Sequence, residues 1–206
     1  MTRIILAFLM IALVLPAVAQ PLPRVKGKIV DFDGLTFHLA PEKGATLAIR
    51  LQARTQFMTL QKRPFSALKV GAYAGATVTD TDGTLTAEEV HLYPDPMRGS
   101  SEGRIGLDGG HFVITGTVKA AASGNLTLSY RGGAMTDGVC QGRADPKATS
   151  PACIADAVIQ VPAEARIAAL TPADRRQLVP GAIATVTVQT DAKGARSTPG
   201  LILEKP

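Results

Sequence analysis

Tryptophan is absent from this chain, and aromatic residues amount to six phenylalanines and three tyrosines. Nucleic-acid binders interleave stacking aromatics with concentrated Lys and Arg. Here the basic residues are scattered, with no run longer than the pairs Lys62-Arg63 and Arg175-Arg176, and the formal net charge is only +5. Nucleic acid is therefore not an expected partner. There is no G-x-S-x-G elbow, and the glycine-rich stretches lack the strand-to-helix setting of a phosphate loop. The three histidines, His38, His91 and His111, show no zinc-site spacing. Helical periodicity is missing from every long stretch, which leaves strands and turns as the main elements.

One long hydrophobic run is present, at the start. Arg3 precedes an apolar segment from Ile4 to Leu15, followed by Pro16 and Ala17-Val18-Ala19, the small-x-small pattern read by signal peptidase. The run is about a dozen residues, well short of the roughly 20 that span a bilayer. Residues 1–19 are expected to be a signal peptide cleaved before Gln20, leaving a periplasmic or secreted protein with no transmembrane segment. No cysteine follows the cleavage site, so lipid anchoring through that residue is excluded.

Beyond the leader, one β-rich pattern is written twice. The first copy reads Val25-Lys-Gly-Lys-Ile-Val, Leu35-Thr-Phe-His-Leu, Leu47-Ala-Ile-Arg-Leu, Leu68-Lys-Val-Gly-Ala and Ala76-Thr-Val-Thr, then Leu85 to Leu92. The second reads Ile114-Thr-Gly-Thr-Val-Lys, Leu126-Thr-Leu-Ser-Tyr, Ala157-Val-Ile-Gln-Val, Leu178-Val-Pro-Gly-Ala, Ala184-Thr-Val-Thr-Val and Gly200-Leu-Ile-Leu. Alternation of apolar and hydroxyl side chains is the period-two signature of half-buried strands. Asp33-Gly34, Asp82-Gly83, Ser123-Gly124 and Lys193-Gly194 supply turns between them. Short helical turns are expected only at Pro64–Leu68 and Pro172–Leu178, with Ser66 or Asp174 as caps.

About five short strands per copy cannot bury two sheet faces while flat, so each copy is expected to curl into a small barrel. Gly27 and Gly116, at equivalent places in the first strand of each copy, mark the bend. The expected fold is all-β, two tandem oligonucleotide/oligosaccharide-binding-like (OB-like) barrels arising from internal duplication. An immunoglobulin-like pair is the alternative, disfavoured by low strand count and the missing tryptophan. The expected domains are a first repeat over 20–97, a Pro/Gly/Ser-rich linker over 98–110, and a second repeat over 111–206.

The second repeat carries an insertion at 132–155 that holds the only two cysteines, Cys140 and Cys153. In an oxidising compartment they are expected to form a structural disulfide, worth on the order of 3 kcal/mol in the chain-entropy description. A redox or metal-binding pair would want C-x-x-C spacing or a neighbouring histidine, and neither is present.

The densest set of potential ligands is His91, Asp95 and Met97, at the end of the first repeat. Thioether and imidazole suit copper, and carboxylate and imidazole suit zinc; His38 or His111 are possible helpers. Glu88 and Glu89 adjoin the set, but neighbours on a strand point to opposite faces and make no catalytic pair.

The pattern V-K-G-K-I-V-D-F-D-G-L-T-F, then L-K-V-G-A-Y-A-G-A-T-V, then D-G-T-L-T-A-E-E-V-H-L-Y-P-D-P-M-R-G resembles an uncharacterised family of exported bacterial proteins built from a small β-domain. The similarity is strongest over Arg24 to Gly99. Some relatives carry the label "metal ABC transporter permease", which does not suit a chain whose one long apolar run is its leader. The resemblance implies export and a β-domain and brings no catalytic residues with it.

The sequence thus points to a non-enzymatic periplasmic protein without a cofactor, which binds an envelope protein or glycan and has strand edges that could support a homodimer. A periplasmic metal-binding or metal-delivery protein and a hydrolase of envelope polymers are the other two readings.

Overall fold

In the computed structural model, which describes residues 23–204, the chain is all-β, with 63% strand. The expected leader and its cleavage site lie outside the described residues. The strands are β1 (Arg24–Phe32), β2 (Thr36–Pro41), β3 (Leu47–Lys62), β4 (Tyr73–Thr81), β5 (Thr84–Tyr93), β6 (Gly103–Gly106) and β7 (His111–Ala122). They continue with β8 (Asn125–Gly132), β9 (Ala134–Thr136), β10 (Val139–Arg143), β11 (Cys153–Gln160), β12 (Arg166–Pro172), β13 (Ile183–Thr190) and β14 (Arg196–Glu204). No helix among the described residues is long and apolar enough to cross a membrane.

Local chemistry sets the turns. At Asp82-Gly83 and Ser123-Gly124 both residues have positive φ, the backbone a tight hairpin demands. Asp33 Oδ1 accepts hydrogen bonds from the amides of Leu35 and Thr36, at 2.8 and 2.6 Å, and closes the β1–β2 turn. The two expected helical turns are present as single 3-10 turns, Phe65–Ala67 and Arg175–Gln177. Ser66 caps nothing, whereas Asp174 Oδ1 accepts from the Arg176 amide at 2.8 Å.

Strand pairing joins halves of different copies. A closed five-stranded barrel runs β1–β2–β3–β14–β13 and back to β1, its β3–β14 seam parallel. The further strands β4, β5, β11, β8 and β7 pair in a second circuit in the same order, and its β5–β11 seam is also parallel. The partition into 20–97 and 111–206 therefore describes the copies in the sequence, while the hydrogen bonds cross it. The exchange is reciprocal down to single bonds. Ile29 N donates to Ala182 O at 2.8 Å and its carbonyl accepts from Gly181 N at 2.7 Å; Val118 N donates to Ala72 O at 2.8 Å and its carbonyl accepts from Gly71 N at 2.9 Å.

The two apolar cores follow the pairing. Ile29, Phe37, Leu39, Ile49, Val186, Leu201 and Leu203 fill the first barrel, where Leu178 of the second copy plugs the end. Val78, Val90, Ile114, Val118, Leu126, Leu128 and Ile159 form a second cluster among the further strands, which includes Leu68 of the first copy. Between them the C-terminal part of β3 lies antiparallel to β12, with Leu60 opposite Leu170, its own counterpart in the repeat. The equivalent of the sixteen-residue β3 is interrupted in the second copy between β11 and β12, where Pro162 cannot donate to a ladder.

The 98–110 segment, expected as a linker, adds β6 to the edge of β7, and Glu102 fixes it. Its buried carboxylate accepts from the Arg131 amide at 3.0 Å and from the guanidinium at 2.9 and 2.7 Å. The insertion at 132–155 folds as the β9–β10 hairpin, and β10 pairs with β6. Cys140 and Cys153 are disulfide-bonded, as expected, with 5.7 Å between their Cα atoms.

The irregularities of β1 and β7 fall after Gly27 and Gly116, between Ile29 and Asp31 and between Val118 and Ala120, and what the two glycines permit is close approach of the neighbouring strand. A Cβ on Gly27 would lie 2.5 Å from Ala40 O, and one on Gly116 would lie 2.2 Å from Ser129 O. Both obstacles are backbone atoms of the neighbouring strand, which cannot swing aside. Gly116→Ala and Gly27→Ala should each destabilise the protein by about 1–3 kcal/mol in urea unfolding. Equal stability in either variant would show that the strands do not approach this closely.

Candidate binding cleft

A β-bulge decides what β5 presents. Thr77 pairs with Glu89 and Val78 with Ala87, so Glu88 is the extra residue. Before the bulge the odd-numbered Leu85 and Ala87 face the core; after it Val90 is buried, and Glu89, His91 and Tyr93 take the other face. Bulges of this kind re-aim side chains. The same device separates the adjacent carboxylates: Glu88 reaches His111 Nδ1 at 3.1 Å, while Glu89 reaches His91.

Glu89, His91 and Tyr93 line a cleft of about 720 Å³, within the range that holds small ligands. Gly75–Thr77 of β4 line it as well, together with Ser101, Ile105, Leu107, Val113 and Thr115. Arg24 of β1 and Thr187 of β13 enter from the first barrel, and Arg143 from the stapled insertion. The cleft is thus built from both circuits and exists because they are joined. Gly75 keeps the lining open, since a Cβ there would stand 2.9 Å from Thr115 Oγ1 and 3.0 Å from the Tyr93 hydroxyl.

Glu89 Oε1 lies 2.7 Å from His91 Nε2 and 2.8 Å from Arg166 Nη2. The imidazole contact is short, and neither of these buried atoms has a well-formed hydrogen bond. Burial, the largest single influence on Glu89, pushes its carboxyl up, yet His91 and Arg166 together outweigh it and hold it below the ordinary value. Burial pushes the Tyr93 phenol up, with Tyr73 adding to the effect, so Tyr93 stays a neutral hydroxyl. Its ring packs against Tyr73, 5.7 Å between centroids. Arg24 and Arg143 have no carboxylate partner among the described residues, so the cleft carries unneutralised positive charge.

The structure gives the residues of the expected metal set separate partners. His91 sits in the cleft with Glu89; Asp95, on an exposed 3-10 turn, bonds Arg98 at 2.9 Å; Met97 is half-buried at the end of that turn. His38 Nδ1 meets Asp31 at 2.6 Å on the β1–β2 hairpin. Among the described residues no three His, Cys, Asp or Glu side chains gather where a metal ion could be held. Sequence reasoning missed Arg24, Glu89, Tyr93 and Arg143. One signal was available, the difference between copies. Because β12 and β3 are equivalent, the pairings Arg166–Glu89 and Gln56–Gly200 place Gly200, Ile202 and Glu204 of β14 where β5 has Glu89, His91 and Tyr93.

Protein-family models, curated proteins and solved structures were all searched, and none matches this chain.

The depressed Glu89 carboxyl contributes stability in full above the ordinary carboxylate value of 4.5, and that contribution is lost as pH falls through the lower folded value. Glu89→Gln should cost about 1–3 kcal/mol at neutral pH and show a shallower loss of stability in acid, measured by urea unfolding at pH 7 and pH 3.5. An unchanged acid dependence would contradict this account of Glu89.

Proposed function

We propose that this chain is an exported, non-catalytic binding protein of the periplasm or cell exterior, holding an envelope glycan in the cleft. In this reading the two five-stranded circuits are OB-like barrels produced by duplication, whose halves have been exchanged. Their common strand order and parallel closure support the OB assignment. The leader pattern and the disulfide support export to an oxidising compartment.

One observation carries the functional reading, the asymmetry between equivalent strands. β14 closes its barrel with Gly200, Ile202 and Glu204 where β5 has Glu89, His91 and Tyr93. Barrel closure therefore does not require the polar set, which includes a partly buried carboxylate whose desolvation is unfavourable. Such a set, in a cleft of ligand size, is explained by what the cleft holds. No hydroxyl or thiol nucleophile is hydrogen-bonded to His91 among the described residues, and Glu89 is occupied by a guanidinium, so binding fits the geometry better than hydrolysis.

Hydrogen–deuterium exchange with a solubilised envelope glycan fraction tests this reading. Slower exchange over 88–93 and 113–115, with the glycan masses unchanged, is the expected result. Shortened glycan chains would replace binding with hydrolysis. Unchanged exchange in the cleft would remove the binding reading, and a stoichiometric metal in native mass spectra, lost in His91→Ala, would replace it with metal delivery.

A further inference from the structure

Resting on the glycan-binding reading, we propose that the ligand is an acidic saccharide, its carboxylate taken by Arg24 and Arg143 and its ring by the rest of the cleft wall. The two guanidiniums come from different elements, β1 of the first barrel and β10 of the insertion, and line one cleft. The acid within the cleft is Glu89, already held by Arg166 and His91, so it does not cancel them. An anion is the complement of such a surface, and a guanidinium fork matches a carboxylate in two-point geometry.

The remaining wall argues for a sugar over a bare oxyanion. A small oxyanion would fill only a small part of about 720 Å³. Ile105, Leu107 and Val113 offer an apolar surface, and Thr77 and Tyr93 offer hydroxyls that both donate and accept. A pyranose has the same division, with C–H faces and hydroxyl edges. The neutral state of Tyr93 suits a group that must exchange hydrogen bonds with sugar hydroxyls.

Arg143 ties this recognition to the staple. It lies within the loop closed by the Cys140–Cys153 disulfide and is paired to Gly103 of β6. The insertion that looks like an accessory in the sequence thereby delivers one of the two cations.

The test is calorimetric titration of the full mature protein with three probes: galacturonic acid trimer, its neutral methyl ester and inorganic phosphate. The acid trimer should bind, with affinity falling as salt is raised. The ester should bind at least about tenfold more weakly, and Arg24→Gln and Arg143→Gln should each weaken the acid trimer by a similar factor. Both arginines are exposed, so the variants should keep their fold, which circular dichroism checks. Equal affinity for acid and ester would overturn the acidic class while leaving glycan binding in place. Phosphate binding as tightly as the trimer would overturn the saccharide in favour of a simple oxyanion. Failure of both trimers to bind would overturn this proposal, whereas the binding reading is judged separately by the exchange experiment with whole envelope glycan.

Discussion

Each five-stranded circuit closes on strands supplied by the other half of the chain, and the rest of the structure depends on that closure. A sheet edge carries unpaired N–H and C=O groups that must be satisfied. β1 finds its second partner in β13, and β7 finds its second partner in β4, with the same pair of backbone bonds at Ile29 and at Val118. Neither copy closes its own barrel here. The long β3, paired with β2, β14 and β12 along its length, is the element that carries the chain from one circuit toward the other.

The cleft is a product of this arrangement and is not an addition to it. β1 and β13 bring Arg24 and Thr187 to strands of the second circuit, and β5 turns its polar set toward them after the Glu88 bulge. In a pair of independent tandem barrels, Arg24 would belong to the same closed unit as Glu89 and would not face it from another. The repeated pattern also supplies an internal comparison: where β14 faces β3, the equivalent strand carries Gly200 and Ile202 and holds no such set. The polar residues are local to one of two equivalent positions, while glycines that the close strand approach requires, Gly27 and Gly116, occur at both.

Much of the fold is legible in the sequence because it is local. Asp82-Gly83 demands a hairpin whatever surrounds it, Asp174 caps its turn through its own neighbours, and two cysteines in one insertion have few other partners. The exchange is not legible, for a physical reason. In a chain that repeats its pattern, Ala74 and Ala184 lie in equivalent strands, so Gly27 could pair with either in the same register, and alternation along the strands is satisfied both ways. Local pattern does not choose between them, and the β3–β12 pairing that accompanies the observed choice is a long-range contact. The bulge is hidden for a related reason: one extra residue in β5 reverses which face Glu89 and His91 occupy, and strict alternation assigns them to the core. Asp95 and Met97 lie near His91 in sequence but leave its strand through Pro94, and nearness along the chain did not become a shared partner.

The exchange of halves is the central claim, and cross-linking across the β1–β13 seam tests it most directly. Lys26 and Thr185 are register partners on outward-facing positions of these strands. In the double variant Lys26→Cys/Thr185→Cys, a disulfide between residues 26 and 185 should form within the monomer, identified by peptide mapping at monomeric mass, with the native Cys140–Cys153 bond retained. A folded monomer in which positions 26 and 185 stay unlinked under oxidising conditions would contradict the exchange, and with it the placement of Arg24 in the cleft.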